Sequence, residues 1–157
     1  MAEQLFLPMF AGIWVAALDG NDTARSLFDR HYSRHRYADG RTRALFVGPG
    51  EKLVLLTPCA RALFVWRRFR SADGQSGVNC AVFRNEGAGL SSDLIRAAER
   101  VAWERWPGER LYTYVNPVAV ASSNPGWCFM AAGWQRCGTT KKRRYRIFEK
   151  TCTSPLH

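Results

Sequence analysis

The stretch RNEGAGLSSDLIRAAERVAWERW, residues 84–106, places a glycine-rich turn directly before a run with helical periodicity. Its apolar residues recur at three- and four-residue spacing and form one stripe: Leu94, Ile95, Ala98, Val101, Ala102 and Trp106. The charged residues Arg96, Glu99, Arg100, Glu104 and Arg105 are predicted to lie on the other faces. We therefore expect a long helix that begins at Ser91 or Ser92 and ends before Pro107-Gly108.

The turn before this helix has the composition of an anion-binding site. Gly87 and Gly89 allow positive φ and a close approach of the backbone to a ligand. The helix that follows offers unpaired N–H groups and the positive end of its dipole. An ordinary strand-to-helix turn is the alternative, and the carboxylates of Glu86 and Asp93 favour it. A P-loop is excluded, because no GK[ST] follows.

The remaining patterns predict one α+β domain over residues 1–157. A strand within GIWVAALDG precedes a helix that has Asn21, Asp22 and Thr23 as cap candidates. Hairpin strands are expected around Gly48-Pro49-Gly50, and further strands in ALFVWRRF, VNCAVF and RLYTYV. A short helix in SSNPGWCFMAAGW and two closing strands complete the order. The apolar N-terminal run carries Glu3 instead of a basic segment, which favours a buried strand over a signal peptide.

Composition limits the classes of partner and setting. The formal net charge of +10 favours an anionic partner, either a nucleic acid or a phosphorylated cofactor. No apolar run approaches the ~20 residues that span a bilayer. The cysteines Cys59, Cys80, Cys128, Cys137 and Cys152 form no CxxC or CxxH pair. This pattern argues against a disulfide framework or a zinc site and favours a reducing cytoplasm.

Arg84-x-x-Gly87-x-Gly89, at the end of a strand and before a long helix, resembles the acetyl-CoA-binding motif of GNAT acyltransferases. The following strand, the short helix that ends in Ala132-Gly133-Trp134 and the two closing strands also match that family's order. The resemblance implies a mostly antiparallel, twisted sheet with splayed strands and flanking helices. It also implies acetyl-CoA or another acyl-CoA as cofactor, with its pyrophosphate on the N–H groups from Glu86 to Ser91 and its pantetheine arm along Asn79–Phe83. The expected cofactor-binding residues are Phe83, Arg84, Glu86, Gly87, Ala88, Gly89, Leu90 and Ser91.

One position departs from the family pattern. Many GNAT enzymes use a tyrosine four residues before the glycine of the short helix as the acid for the leaving thiolate. Counting back from Gly133 gives Phe129, which has no proton to donate. Either another group acts as the acid, or the chemistry differs, or the protein binds without catalysing.

The stretch RHYSRHRY, residues 30–37, makes the resemblance more specific. A His-Tyr after the first helix, a serine at the start of the long helix and a tyrosine-rich strand look like the Mom branch of phage DNA-modifying proteins. That branch modifies adenine in phage DNA and so blocks restriction. By position, the resemblance implies His31, Ser92 and Tyr114 as the functional set. Structural roles for His31 and Tyr114 are the alternative, and Cys128 is interpreted as a buried helix cysteine.

Basic residues cluster in three places, which together favour contact with a polyanion. The expected nucleic-acid-binding residues are Arg34, Arg36, Arg67, Arg68, Arg70, Lys141, Lys142 and Arg143. Each cluster taken alone is also consistent with a solvated surface. A flipped base would need an aromatic platform, and the candidates for it are Tyr32, Tyr37, Trp66 and Trp127.

The leading hypothesis is a GNAT-type transferase that modifies DNA bases, with DNA and a CoA-type cofactor as partners in the cytoplasm of a bacterial host. A homodimer is left open, and neither a metal nor a membrane is expected. Two alternatives remain: an N-acetyltransferase acting on a small-molecule or protein amine, and a basic DNA-binding protein without catalysis.

Overall fold

The computed structural model describes residues 4–6, 13–30, 50–119 and 124–152, the first of these segments as backbone only. Several predicted features lie outside the described residues: His31, Arg34, Arg36, Tyr32, Tyr37 and the hairpin strand before Gly50.

The elements follow the predicted order along the chain. The strands are β1 (Gln4–Phe6), β2 (Val15–Ala17), β3 (Glu51–Leu56), β4 (Ala62–Arg68), β5 (Val78–Asn85), β6 (Leu111–Val115), β7 (Gln135–Thr139) and β8 (Arg146–Lys150). The helices are α1 (Asp22–Asp29), α2 (Ser91–Arg105) and α3 (Trp127–Ala131). The predicted cap of the first helix is confirmed, since the Asn21 side chain accepts a hydrogen bond from the N–H of Ala24.

The eight strands of the described segments belong to one sheet, in the order β1-β2-β3-β4-β5-β6-β8-β7. Every neighbouring pair is antiparallel except β5 and β6, which α2 connects as a parallel pair. The expectation of a single α+β domain with a mostly antiparallel sheet is confirmed. Among the described helices, none is both long enough and apolar enough to cross a membrane.

The parallel pair is short compared with its strands. β5 pairs with β6 only at Val78, Asn79 and Cys80, whereas β5 continues to Asn85 on the β4 side. Among the described residues, the edge of β5 that faces β6 therefore has no strand partner from Ala81 onward. We call this part of the sheet, where β5 ends at Asn85 and β6 ends at Val115, the unpaired end.

Helix α2 covers one face of the sheet with the apolar stripe that the sequence predicts. Its stripe residues are all buried, and Trp66 of β4 donates from its indole N–H to the carbonyl of Ala98. The prediction that Glu99 faces away from the core is wrong, because its side chain is only 5% exposed. Glu99 accepts hydrogen bonds from Trp134 Nε1 at 2.6 Å and Lys150 Nζ at 2.8 Å, which offset the cost of burying its charge.

Helix α1 packs on the opposite face, over a smaller apolar cluster. This cluster consists of Ala24, Leu27, Val54, Leu56, Leu63, Val65 and Val82. Tyr112 and Tyr114 of β6 share a face, as the two-residue period predicts, and their rings meet edge to face at 5.7 Å.

Candidate functional site

The side chain of Asn85, the last residue of β5, shapes the glycine turn. Its Oδ1 accepts hydrogen bonds from the N–H groups of Gly87 and Ala88, at 3.0 and 2.9 Å. Its Nδ2 donates to the carbonyl of Gly89 at 2.8 Å and to Oγ of Ser91 at 2.9 Å. Gly87 has φ of +97°, a conformation that glycine adopts without strain. One amide side chain therefore holds the turn in a fixed shape.

Because of these contacts, the backbone N–H groups that are left available for a ligand are those nearer to α2. The N–H of Glu86 donates to the carbonyl of Arg61 at 2.6 Å, and Asn85 takes those of Gly87 and Ala88. The backbone N–H groups from Gly89 to Ser92 make no hydrogen bond with any described residue, and no side chain caps α2. The unpaired N–H groups at residues 89–92, with the helix dipole behind them, are suited to an anion.

Arg61 adds a positive charge beside this turn. A Cβ placed on Gly87 would lie 3.9 Å from Nη1 of Arg61, whose side chain is exposed and forms no ion pair in the described part of the chain. Ala62 pairs with Asn85, which places the β3–β4 turn against the glycine turn. Arg61 lies outside the glycine motif, and nothing in the local sequence links it to this turn, because the β4–β5 pairing brings the two together.

The carboxylates that argued against a phosphate site are both paired with arginines. The carboxylate of Glu86 accepts hydrogen bonds from Arg30 at 2.7 Å and from Arg84 at 2.5 Å. These hydrogen bonds lower the pKa of Glu86 to about 2. Arg84 also donates to the carbonyl of Arg30, so its side chain caps the end of α1. Asp93 lies 3.6 Å from Arg96. The charge of each acid near the turn is therefore largely offset.

The other expected cofactor-binding residues lie around the same turn. Phe83 is half-buried, and the centroid of its ring lies 5.2 Å from that of Phe64. Leu90, at the N-terminal cap of α2, is 67% exposed. Ala88 packs against the core beneath α2. Ser92 is buried in the first turn of α2, where its N–H joins the free donors.

Phe129 on α3 is part of the core. Its ring packs edge to face against the rings of Trp134 and Phe83, with centroid separations of 4.9 and 6.2 Å. The neighbouring Cys128 is half-buried, and burial raises the pKa of its thiol. Neither side chain is a ready proton donor, since the phenyl ring has no acidic proton and the thiol is a weaker acid than usual.

Tyr114 is held in a polar cluster beneath the β4–β5 turn. Its hydroxyl donates to Oδ1 of Asp73 at 2.7 Å and lies 3.1 Å from Oγ of Ser71, which also hydrogen-bonds to Asp73. Burial, and then the hydrogen bond to Asp73, raise the pKa of Tyr114. The structure does not bring Tyr114 and Ser92 into contact. Tyr114 can therefore act as an acid only after its hydrogen bond to Asp73 breaks.

Tyr112 lies beside this cluster, and its hydroxyl makes no well-formed hydrogen bond with a described residue, although an interaction with Ser71 acts to lower its pKa. The side chain is fully buried, and neither its Oη nor the Nε of Arg67 has a hydrogen-bond partner of normal geometry in the described part of the chain. Burial raises the pKa of Tyr112 and lowers that of Arg67, since each loses solvent around its charged form.

Because a buried hydroxyl without a partner costs desolvation free energy, we expect Tyr112→Phe to keep or increase stability. The free energy of unfolding should change by between zero and about +1 kcal/mol. Tyr114→Phe is the matched control: it removes a hydrogen bond to a carboxylate and should cost about 1–3 kcal/mol. Urea denaturation of both variants measures the difference. A Tyr112→Phe loss as large as that of Tyr114→Phe would mean that the Tyr112 hydroxyl does have a partner.

The described basic clusters lie at opposite ends of the sheet. Arg68 pairs with Val78, where β5 begins, so Arg67, Arg68 and Arg70 lie away from the unpaired end. Arg146 pairs with Val115, so the β7–β8 turn lies at the unpaired end with the glycine turn. Arg68 lies 3.5 Å from Glu109 and 3.9 Å from Glu51. The residues of the β7–β8 turn, Lys141, Lys142, Arg143 and Arg144, are exposed and make no ion pair with described residues.

Trp66 is fully buried and cannot receive a base, whereas Trp127 is 60% exposed. In the described segments, no three His, Cys, Asp or Glu side chains are grouped as metal ligands would be. No family model matches the chain, and no curated protein shows significant similarity to it.

Proposed function

We propose that this chain is a GNAT-type transferase that uses an acyl-CoA donor to modify a base of nucleic acid, with adenine in DNA as the first expectation. The observation that carries the proposal is the row of backbone N–H groups from Gly89 to Ser92, between β5 and α2, which make no hydrogen bond with a described residue. The resemblance to the GNAT motif falls on the same turn.

The surroundings of these donors suit two parts of a CoA molecule, the pyrophosphate and the pantetheine arm. The N–H groups and Arg61 would hold pyrophosphate oxygens, as charge-assisted hydrogen bonds. No described strand pairs with the edge of β5 that faces β6 from Ala81 onward, so its backbone groups can bind the amides of a pantetheine arm. The parting of β5 and β6 supports the splayed strands that the resemblance implies.

Acyl transfer requires proton movements that these residues would have to serve. The acceptor nitrogen loses a proton as the acyl carbon leaves sulfur, and the thiolate gains one. Phe129 cannot supply the proton that the thiolate gains. Tyr114 would have to give up its hydrogen bond to Asp73 in order to supply that proton. His31 lies outside the described residues and stays a candidate for either transfer.

Nucleic acid is the proposed acceptor because of the charge at the unpaired end. The four basic side chains of the β7–β8 turn have no acidic partner among described residues, in a chain with a net charge of +10. An enzyme for a small amine has no need of this surface once the CoA phosphates are bound. Mass spectrometry of nucleosides from cells that express the protein tests the reaction directly. Unmodified DNA and RNA, together with acetylation of a supplied amine, would favour the amine alternative.

We expect the β7–β8 turn to dominate the salt dependence of nucleic-acid binding. Replacement of Lys141, Lys142 and Arg143 by alanine should reduce the slope of log K against log salt by about 2–3, since each removes about one phosphate contact. The triple variant of Arg67, Arg68 and Arg70 is the matched control and should change the slope less, because Arg68 is ion-paired and Arg67 is partly buried. Fluorescence anisotropy with a labelled oligonucleotide gives both slopes. A larger reduction in the control variant would move the contact to the opposite end of the sheet.

A further inference from the structure

An exposed tryptophan lies close to the basic β7–β8 turn. Arg146, which follows that turn, donates to the carbonyl of Pro125 at 3.4 Å. A Cβ on Gly126 would overlap the ring of Phe148, so the segment before α3 lies directly against β8. Trp127, the next residue, begins α3 with 60% of its surface exposed. A large aromatic ring and four cations thus share the unpaired end.

The exposure of Trp127 is unusual for its type in this chain. Trp14, Trp66, Trp106 and Trp134 are all buried, and three of their indole N–H groups donate to Leu94, Ala98 and Glu99 within the core. The backbone N–H of Trp127 donates to the carbonyl of Asn124, but its indole makes no hydrogen bond and no ring contact with any described residue. The core packing therefore does not explain why a tryptophan stands there.

We propose that Trp127 is a stacking platform for an unpaired nucleobase whose flanking phosphates bind the β7–β8 turn. This inference rests on the proposed function only for the identity of the polyanion. Single-stranded nucleic acid exposes the faces of its bases beside its phosphates, and aromatic side chains beside cations recognise that combination. A paired duplex buries those faces, so the surface selects single strands or a base extruded from a duplex.

The preference is tested with labelled 12-nucleotide single strands of DNA and RNA and with the matching DNA duplex. We expect the wild-type chain to bind single strands more tightly than the duplex. Trp127→Ala should weaken single-strand binding by about 10- to 100-fold, and Trp127→Phe should restore most of it, because a phenyl ring also stacks. Val118→Ala is the matched control, since Val118 is 92% exposed just after β6 but has no aromatic face. The DNA and RNA arms distinguish the two sources of unpaired bases.

The outcomes separate this inference from the function on which it rests. Equal binding by wild type and Trp127→Ala, with the salt dependence of the β7–β8 turn intact, would overturn the stacking role alone. If wild type binds no oligonucleotide at low salt, the proposed acceptor is wrong as well. If Trp127→Ala instead weakens acetyl-CoA binding in calorimetry, Trp127 belongs to the donor site and the inference fails.

Discussion

Gly89→Glu should abolish acetyl-CoA binding in calorimetry while the protein remains folded. The substitution places a carboxylate among the N–H groups at residues 89–92, where the pyrophosphate is proposed to bind. Loss of two charge-assisted hydrogen bonds, at about 1.5–3 kcal/mol each, weakens binding by at least about 100-fold. Position 89 suits this test because a Cβ there would meet only Leu94 Cδ2, at 4.0 Å. Gly87 suits it less, because its positive φ strains any side chain.

Gly89→Ala is the control for Gly89→Glu, since it adds the Cβ without the charge. It should bind acetyl-CoA within a few-fold of wild type. Near-wild-type binding by Gly89→Glu would place the pyrophosphate elsewhere on the chain. Absence of binding by the wild-type protein would remove the donor from the proposed function.

Lys150→Ala should produce a large loss of stability. Among the described residues it leaves the buried carboxylate of Glu99 with the indole N–H of Trp134 alone, and it also removes the hydrogen bond from Lys150 to the carbonyl of Ala132. Breaking a buried ion pair costs about 3–5 kcal/mol, and we expect about 3 because the Lys150 side chain retains 26% exposure. The midpoint of urea unfolding measures the change.

Two further variants decide whether the uncompensated charge is the cause. Arg68→Ala breaks an exposed pair with Glu109 and should cost less than about 1 kcal/mol. Combining Lys150→Met with Glu99→Gln removes both charges, keeps an acceptor for Trp134 and should recover part of the stability. If Lys150→Ala is no more destabilising than Arg68→Ala, Glu99 is better solvated than its burial indicates.

Local patterns predicted the elements well because each depends on residues near in sequence. The side chain of Asn21 caps α1 from three residues away, and the stripe of α2 follows from helical spacing. Gly87 does adopt positive φ in the turn before that helix. Each of these features needs only neighbours along the chain and no knowledge of the sheet.

The misassigned and missed residues depend on partners that are distant in sequence. Glu99 is buried because it accepts hydrogen bonds from Trp134 and from Lys150, which is 51 residues away. Helical periodicity alone predicts that a charged side chain faces solvent, so it could not predict this burial. Arg61 reaches the glycine turn only through the pairing of β4 with β5. The separation of the two basic clusters likewise follows from strand register, which composition does not contain. For the candidate site, the sequence predicted the location of the turn but not which of its donors are free.

The four hydrogen bonds of the Asn85 side chain have a thermodynamic consequence for the glycine turn. They fix the turn before any ligand arrives, so its conformational entropy is lost during folding and not during binding. A preorganised site loses less free energy on association than one that a ligand must order. The donors from Gly89 to Ser92 therefore form a rigid receptor, and discrimination among anions there would depend on shape more than on adaptation of the loop.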